Sequence, residues 1–151
     1  MNDNTKYLAI DYGQKRVGIA VSDENKKYSF ARDHIENDKS LREKLLSVIK
    51  EENISKIIIG YPLNFKSEKT IQTQKIEEFK DSLEKFLASR SLKTEIIFFD
   101  ERFTSKLAES SILNSGLNKK KRQEKGRVDS ISAQIILQDY IDKTNNQNIY
   151  N

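Results

Sequence analysis

The chain has 151 residues, enough to bury one substantial hydrophobic core, so we expect a single domain over residues 1–151. Hydrophobic residues make up 36% and charged residues 33%, and no apolar run approaches the roughly 20 residues that span a bilayer. The absence of cysteine excludes disulfides and thiolate metal sites, and the first residues lack the basic and apolar regions of a signal peptide. We therefore expect a cytoplasmic protein without membrane contact.

The net charge of +4 is distributed unevenly along the chain. Residues 119–127, KKKRQEKGR, carry a charge of +5, so the remainder sums to −1. A basic cluster of this kind favours a phosphate-bearing partner, although a lysine run can equally be a solvated loop. The candidate nucleic-acid-binding residues in this predicted loop are Lys119, Lys120, Lys121, Arg122, Lys125 and Arg127.

The first part of the chain predicts three strands. Residues 6–11 (KYLAID) and 17–22 (VGIAVS) are apolar runs joined by a turn that contains Gly13, as in an antiparallel hairpin. A third, weaker strand is predicted within residues 27–31. The segment after it, RDHIENDKS, has the composition of a solvated loop and contains His34, the only histidine.

A helix and two further strands are predicted next. Apolar residues recur at intervals of three and four over residues 41–49, which indicates a helix, and Ser40 with Glu43 has the spacing of a capping box at its start. The segments 56–60 (KIIIG) and 95–100 (EIIFFD) are short apolar runs typical of strands buried on both faces.

Three more helices complete the prediction. A long charged helix contains the apolar residues of 76–86, a second begins near Thr104 and stops at Gly116, and the last follows the basic loop. Residues 1–5 and 144–151 are expected to fray. The apolar residues assigned to three of the four predicted helices are Leu41, Leu45, Val48, Ile49, Ile76, Phe79, Leu83, Phe86, Val128, Ile131 and Ile135.

This order of elements predicts an α/β fold. An antiparallel three-strand meander followed by alternating helices and strands gives a five-stranded mixed sheet with helices on both faces. The two later strands should lie parallel to the first, joined to it by right-handed crossovers.

Carboxylates follow two of the predicted parallel strands. Asp11 ends the first strand, and Asp100 and Glu101 end the last, so they should meet at the sheet edge where active sites collect. Asp129 follows Val128 in the last helix, about 100° around from its apolar stripe, and could face the same edge. Converging carboxylates need raised pKa values or a cation, and oxygen ligands without cysteine favour Mg²⁺ or Mn²⁺. Two such ions could support phosphodiester hydrolysis.

Each acidic residue also has a structural interpretation. Asp11 could form an Asx turn with the residues that follow it. Glu101 could pair with Arg102 at the surface, and Asp129 could stabilise a helix N-terminus. A serine–histidine–aspartate triad would have to use His34, for which a solvated turn is the simpler explanation.

Four segments resemble, in order and spacing, the motifs of the YqgF family of resolvase-like pre-16S ribosomal RNA nucleases. They are DYGQKRVGIAVSD, IIIGYPLN, DERFTS and KKKRQEKGRVDSISAQIILQDYI, and the resemblance covers roughly residues 6–142. It implies an RNase H-like fold and metal-dependent hydrolysis of RNA, with maturation of the 16S ribosomal RNA 5′ end as the task. The family's acidic residues correspond to Asp11, Glu101 and Asp129, and the supporting positions are Asp100, Arg102 and Thr104.

Two segments depart from the family pattern. After PLN the family usually continues with a glycine-containing loop, whereas this chain has FKSEKT, which affects the expected conformation and substrate contacts of that loop. The Leu-Thr-Thr run that usually follows DER is replaced by Phe103, Thr104 and Ser105. The two hydroxyl groups are retained, so a capping role near the site could persist.

The leading hypothesis is a ribonuclease with two Mg²⁺ or Mn²⁺ ions that acts on precursor 16S ribosomal RNA, within a small-subunit precursor. Lys15 and Arg16 would assist the basic loop in binding phosphates. One alternative keeps the chemistry but cuts branched DNA as a symmetric dimer. Another is an RNA-binding assembly factor without catalysis. A third is ATP binding by the first hairpin, as in sugar kinases, but one short domain offers no second half to close the cleft.

Overall fold

The computed structural model describes residues 3–62, 69–100 and 125–150. In the range 125–150, the described side chains are those of residues 130–146. The predicted helix from Thr104 to Gly116 and residues 119–124 of the basic loop lie outside the described residues. The described elements are β1 (Lys6–Tyr12), β2 (Arg16–Ser22), β3 (Ser29–Glu36), α1 (Leu41–Glu51), β4 (Ile54–Tyr61), α2 (Ile71–Ser89), β5 (Glu95–Asp100) and α3 (Lys125–Tyr150).

The five strands form one mixed sheet in the order β3-β2-β1-β4-β5. β2 pairs antiparallel with both β1 and β3, whereas β4 is parallel to β1 and β5 is parallel to β4. The predicted meander and the two parallel strands are therefore confirmed, and β1 lies at the centre of the sheet.

Helices cover both faces of the sheet. On one, the α1–α2 face, Leu8, Ile10 and Ile59 pack with residues of α1 and α2. On the other, the α3 face, Ala9 and Ile58 pack with residues of α3. Because side chains alternate along a strand, consecutive residues of β4 enter opposite cores, which explains why this strand is apolar at every central position.

The direction of α3 relative to β1 follows from the contacts of Tyr140. Its ring packs edge-on against Tyr7 with 5.9 Å between centroids, and its hydroxyl accepts a hydrogen bond of 3.0 Å from Lys56 Nζ. Tyr7 and Lys56 lie near the amino ends of β1 and β4. The first half of α3 therefore extends toward the carboxyl end of β1.

The third strand is longer than the sequence predicts and lies further along the chain. It covers Ser29–Glu36 instead of 27–31, so His34 lies on a strand and not in a solvated turn. Its Nε2 is 3.0 Å from Glu36 Oε1. The sequence does not show the alternation of apolar and polar residues expected of a strand, because β3 is an edge strand with Arg32 and Asp33 exposed in its middle.

The capping box lies on a different helix from the one predicted. Ser40 makes no side-chain cap for α1, and its Oγ donates instead to Asp38 Oδ1 at 2.6 Å. At the start of α2, Thr70 Oγ1 accepts from Thr73 N at 3.3 Å, and Thr73 Oγ1 accepts from Thr70 N at 2.7 Å. A threonine thus replaces the usual acidic residue of the motif, which is why its spacing alone did not reveal it.

The last helix is longer than the sequence predicts, and described residues near both ends of the chain contact other parts of it. The backbone of α3 is helical from Lys125 to Tyr150, so Lys125 and Arg127 belong to the helix and not to the loop, and the tail from 144 continues it. Asn145 Nδ2 donates to Lys26 O at 3.5 Å, and Asp3 Oδ1 accepts from Lys26 Nζ at 2.9 Å. The polar composition of the terminal segments gives no indication of these tertiary contacts. Among the described residues, no helix has the length and apolar content needed to cross a bilayer.

An ion pair joins the start of β1 to the end of α1. Lys6 Nζ lies 2.8 Å from Glu52 Oε2, and Arg32 Nη2 lies 3.5 Å from Glu52 Oε1. The hydrogen bond from Lys6 holds the pKa of Glu52 below its ordinary value of 4.5. Glu52 therefore stabilises the fold above that value, and its contribution is lost as the pH falls through the lower pKa of the folded state.

We expect Glu52→Gln to lower the free energy of unfolding at neutral pH by about 0.5–1 kcal/mol, the size of a partly exposed ion pair. Urea denaturation should show that this difference shrinks as the pH is lowered from neutral to about 3, because the wild-type carboxylate is then protonated as well. Glu51→Gln, at the exposed neighbouring position, is the control and should change stability less. A difference that does not change with pH would contradict the assignment.

Candidate active site

Asp11 lies near the carboxyl end of the central strand, half-buried and on the α3 face. Its cross-strand partner on β2 is Gly18. On β4, the residue at the same level is Gly60, one position beyond the Ile10–Ile59 pair. At these two paired positions, the neighbouring strands therefore carry no side chain. Glycine inside a strand commonly marks a site that a ligand approaches closely, and sequence reasoning missed the role of these two.

Asn37 holds the turn that follows Asp11. Its Nδ2 donates to Gly13 O at 2.7 Å, and its backbone N–H donates to Lys15 O at 2.9 Å. A Cβ at Gly13 would lie 2.4 Å from Arg16 O, so a larger residue would force this turn open. Lys15 is exposed on the turn, and both predicted cations of the first hairpin therefore lie at the same sheet edge as Asp11. Nothing in the segment IENDKS indicated the role of Asn37.

Asp100 shares the sheet edge of Asp11 but not its face. It ends β5 opposite Tyr61. Ile96 and Phe98 pack on the α1–α2 face, whereas the residues between and after them pack on the α3 face. The alternation therefore places Asp100 on the α1–α2 face, away from Asp11. Asp100 and Asp11 are therefore separated by the sheet, although both lie at the same edge.

The helical position of Asp129 lies on the side of α3 that packs on the sheet. It precedes Ala133 by four residues, Ile136 by seven and Tyr140 by eleven, which is the spacing of one helix face. The apolar residues that the sequence assigns to this helix lie on a different side of it. Ile131 and Ile135 are also buried, but neither belongs to the described α3-face cluster, and the helical spacing puts both roughly opposite Ala133.

Position 129 is also level with the end of β1. Tyr140 packs on Tyr7, and eleven helical residues from Tyr140 back to 129 span about 16 Å at 1.5 Å each. Four strand residues from Tyr7 to Asp11 span about 13 Å. The fold therefore brings the backbone of α3 at position 129 to the level of Asp11, within about one helical turn.

The remaining predicted site residues are only partly accounted for. Glu101, Arg102, Thr104 and Lys119 to Arg122 lie outside the described residues, and for Lys125, Arg127 and Asp129 only the helical backbone is described. Among the side chains that are described, no three acidic or histidine residues come together. Of the three predicted carboxylates, only the side chain of Asp11 is therefore among the described residues.

A hydrogen-bonded group fixes the carboxyl end of β4 next to this site. The Tyr61 hydroxyl donates to Glu77 Oε1 of α2, and Lys69 Nζ lies 3.1 Å from the same oxygen. Burial and the bond to Glu77 raise the pKa of Tyr61, and the bonds from Tyr61 and Lys69 lower the pKa of Glu77. This group ties β4 to α2 on the α1–α2 face.

A family model described as "RuvX: Holliday junction resolvase" matches residues 5–143 of the chain. The chain belongs to this family. RuvX is also called YqgF, so the match confirms the family indicated by the four sequence motifs. Membership places the chain among nucleases, which are hydrolases of phosphodiester bonds.

Relatives and solved structures agree with this membership. A protein of Sulfurihydrogenibium sp. (strain YO3AOP1) named "Putative pre-16S rRNA nuclease" is 41% identical over 92% of this chain and 91% of its own length. A protein of the same name from Bacteroides fragilis (strain ATCC 25285) is 40% identical over 91% of this chain and 96% of its own length. The structure "T. thermophilus RuvC in complex with Holliday junction substrate" superposes with a TM-score of 0.56 at 8% identity, covering 93% and 96% of the two chains. The structure of a fowlpox virus resolvase with Holliday junction DNA superposes with a TM-score of 0.51 at 13% sequence identity. The superposition covers 93% of this chain and 99% of that chain. These structures confirm the RNase H-like fold.

Proposed function

We propose that this protein is a metal-dependent endonuclease that hydrolyses RNA and matures the 5′ end of 16S ribosomal RNA during ribosome biogenesis in the cytoplasm. The main support is Asp11, which lies on the central strand between two glycines and on the face covered by α3. The names of relatives at 40–41% identity favour precursor 16S ribosomal RNA as the substrate. The small-subunit precursor is the proposed partner.

The proposed metal ligands are Asp11, Glu101 and Asp129. Glu101 directly follows the last residue of β5 in the sequence, and its assignment as a ligand rests on the DER motif shared with the family. Position 129 is on the sheet side of α3 at the level of Asp11. These are hard oxygen donors, which fit Mg²⁺ or Mn²⁺, and we propose that the two glycines paired with Asp11 let the ions approach it closely. When bound, such ions lower the pKa of water and stabilise charge on the departing oxygen.

The cations of this chain would hold the substrate backbone. Lys15 and Arg16 lie on the turn and strand next to Asp11, and Asn37 fixes that turn. We propose that they bind phosphates on one side of the cut bond, and that the basic residues of 119–127 bind them on the other. Lysine and arginine contacts with phosphate position a strand without reading its sequence.

A second candidate function is the resolution of branched DNA. It is favoured by the family description, which names a Holliday junction resolvase. The chemistry and the proposed site would be the same, but the substrate would be a four-way junction and the enzyme a dimer with paired cuts.

The test is cleavage of an RNA that contains the precursor 16S 5′ leader, beside a four-way DNA junction, with Mg²⁺, Mn²⁺ or EDTA. We expect the RNA to be cut with either metal and to remain intact in EDTA. Cutting of the junction alone would replace the proposed function by the second candidate. Binding without cutting would indicate an assembly factor, and the slope of log K against log salt, about −0.7 per phosphate on single strands, would count its contacts.

A further inference from the structure

A cavity of about 330 Å³ lies between the β1–β2 turn and the start of α2. This volume is within the range of small-ligand sites, roughly 300–1,000 Å³. A second cavity of about 440 Å³ shares Tyr12 and Lys75 with the first, so the two form one groove along α2, here named the α2 groove. The described residues that line its first part are Tyr12, Gly13, Gln14, Ile71, Gln72 and Lys75.

The first part of the α2 groove combines an aromatic ring, amides and a cation, and the second part adds the charged residues Asp38, Arg42 and Glu78. The Tyr12 ring stacks on Phe79 with 4.4 Å between centroids and 25° between planes, which fixes its orientation. Gln14 and Gln72 each offer an amide donor and acceptor. Lys75 is the one charged side chain among the described residues of the first part. An aromatic face, amide groups and a cation together suit a nucleobase and its phosphate.

The α2 groove adjoins the proposed active site. Tyr12 directly follows Asp11 on β1, and alternation puts their side chains on opposite faces of the same strand end. The groove begins at the turn that carries Lys15, on the sheet edge shared with Asp11. A strand whose phosphate lies at Asp11 therefore passes the groove within a few nucleotides.

We infer that the α2 groove binds one unpaired nucleobase of the substrate strand within a few nucleotides of the cut phosphate. Its position relative to the cut rests on the proposed function, but base binding itself does not. Tyr12 stacks on the base, Gln14 and Gln72 hydrogen-bond its edge, and Lys75 binds the adjoining phosphate. A base inside a continuous duplex cannot enter the groove, so the enzyme requires an unpaired nucleotide at this position.

The test compares two single-stranded probes in EDTA by fluorescence anisotropy. One is an oligouridylate of about 12 nucleotides, and the other is an abasic oligomer with the same number of phosphates. We expect the wild-type protein to bind the oligouridylate about tenfold or more tightly, since stacking of one base contributes that order of affinity. Tyr12→Leu should reduce this ratio about tenfold, whereas Tyr12→Phe, which keeps the ring, should preserve it.

A second measurement tests Lys75 and the contact itself. Lys75→Ala should make the salt dependence of binding shallower by about one phosphate, and Lys85→Ala, at an exposed position elsewhere on α2, should not. Irradiation of a probe that contains 5-iodouridine should cross-link it to Tyr12, as mapped by peptide mass spectrometry. Circular dichroism and thermal unfolding establish that each variant is folded.

The outcomes separate this inference from the proposed function. If folded Tyr12→Leu has the wild-type ratio and the cross-link maps elsewhere, the inference is overturned even when RNA is cut. If the ratio depends on Tyr12 but no metal supports cutting, base binding stands and the nuclease proposal fails.

Discussion

Replacing Asp11 by asparagine is expected to slow RNA cleavage by about a thousandfold or more in single-turnover experiments with Mg²⁺. Asparagine keeps the size of the side chain but removes the negative charge that would hold the cation. Metal ions contribute several kcal/mol to such reactions, and each 1.4 kcal/mol corresponds to a factor of ten in rate. The substitution should therefore abolish most of the activity without disturbing the strand.

Asp100→Asn is the matched control for this prediction. Asp100 is an acid at the same sheet edge, but it lies on the α1–α2 face, so its loss should slow cleavage by less than about tenfold. Calorimetric titration with Mn²⁺ alone gives a second readout, in which binding is lost in Asp11→Asn and retained in Asp100→Asn. Equal losses of activity in the two folded variants would contradict the assignment of the site to the α3 face.

The strands with clear apolar runs could be predicted from the sequence, whereas the bounds of β3, at one edge of the sheet, could not. The central strands are buried on both faces in their middle residues, so burial selects apolar side chains at consecutive positions there. In β3, the charged residues Arg32 and Asp33 are exposed, and the sequence resembles a loop. The length of α3 was missed for a related reason, because the contact between Asn145 and Lys26 joins residues far apart in the chain.

The candidate site was predictable only to the level of a shared sheet edge. The strand pattern placed Asp11 and Asp100 together, but their faces depend on the register of β1, β4 and β5, which local patterns do not determine. The contact of Asn37 with the β1–β2 turn arises only from tertiary structure. The stack of Tyr12 on Phe79 joins residues far apart in the sequence and likewise had no local signal.

The packing of α3 on the sheet is the other feature whose loss should have a large effect, here on the free energy of unfolding. Leu137→Ala tests this packing. Leu137 is fully buried in the α3-face cluster with Ala9 and Ile58. Truncation of a buried leucine removes apolar contacts and leaves a cavity, so we expect the free energy of unfolding to fall by about 2–5 kcal/mol. Urea denaturation measures the change, and Ile71→Ala, at a position that is 75% exposed, should change stability by less than about 0.5 kcal/mol.

The same variant links packing to the proposed site. Position 129 lies eight residues before Leu137 on one continuous helix, about 12 Å along its axis. If Asp129 is a metal ligand, loosening this packing should weaken Mn²⁺ binding at temperatures where Leu137→Ala is still folded, while Ile71→Ala should bind as the wild type does. A folded Leu137→Ala protein with unchanged Mn²⁺ affinity would show that the cation does not depend on α3, and would leave Asp11 and Glu101 as the proposed ligands.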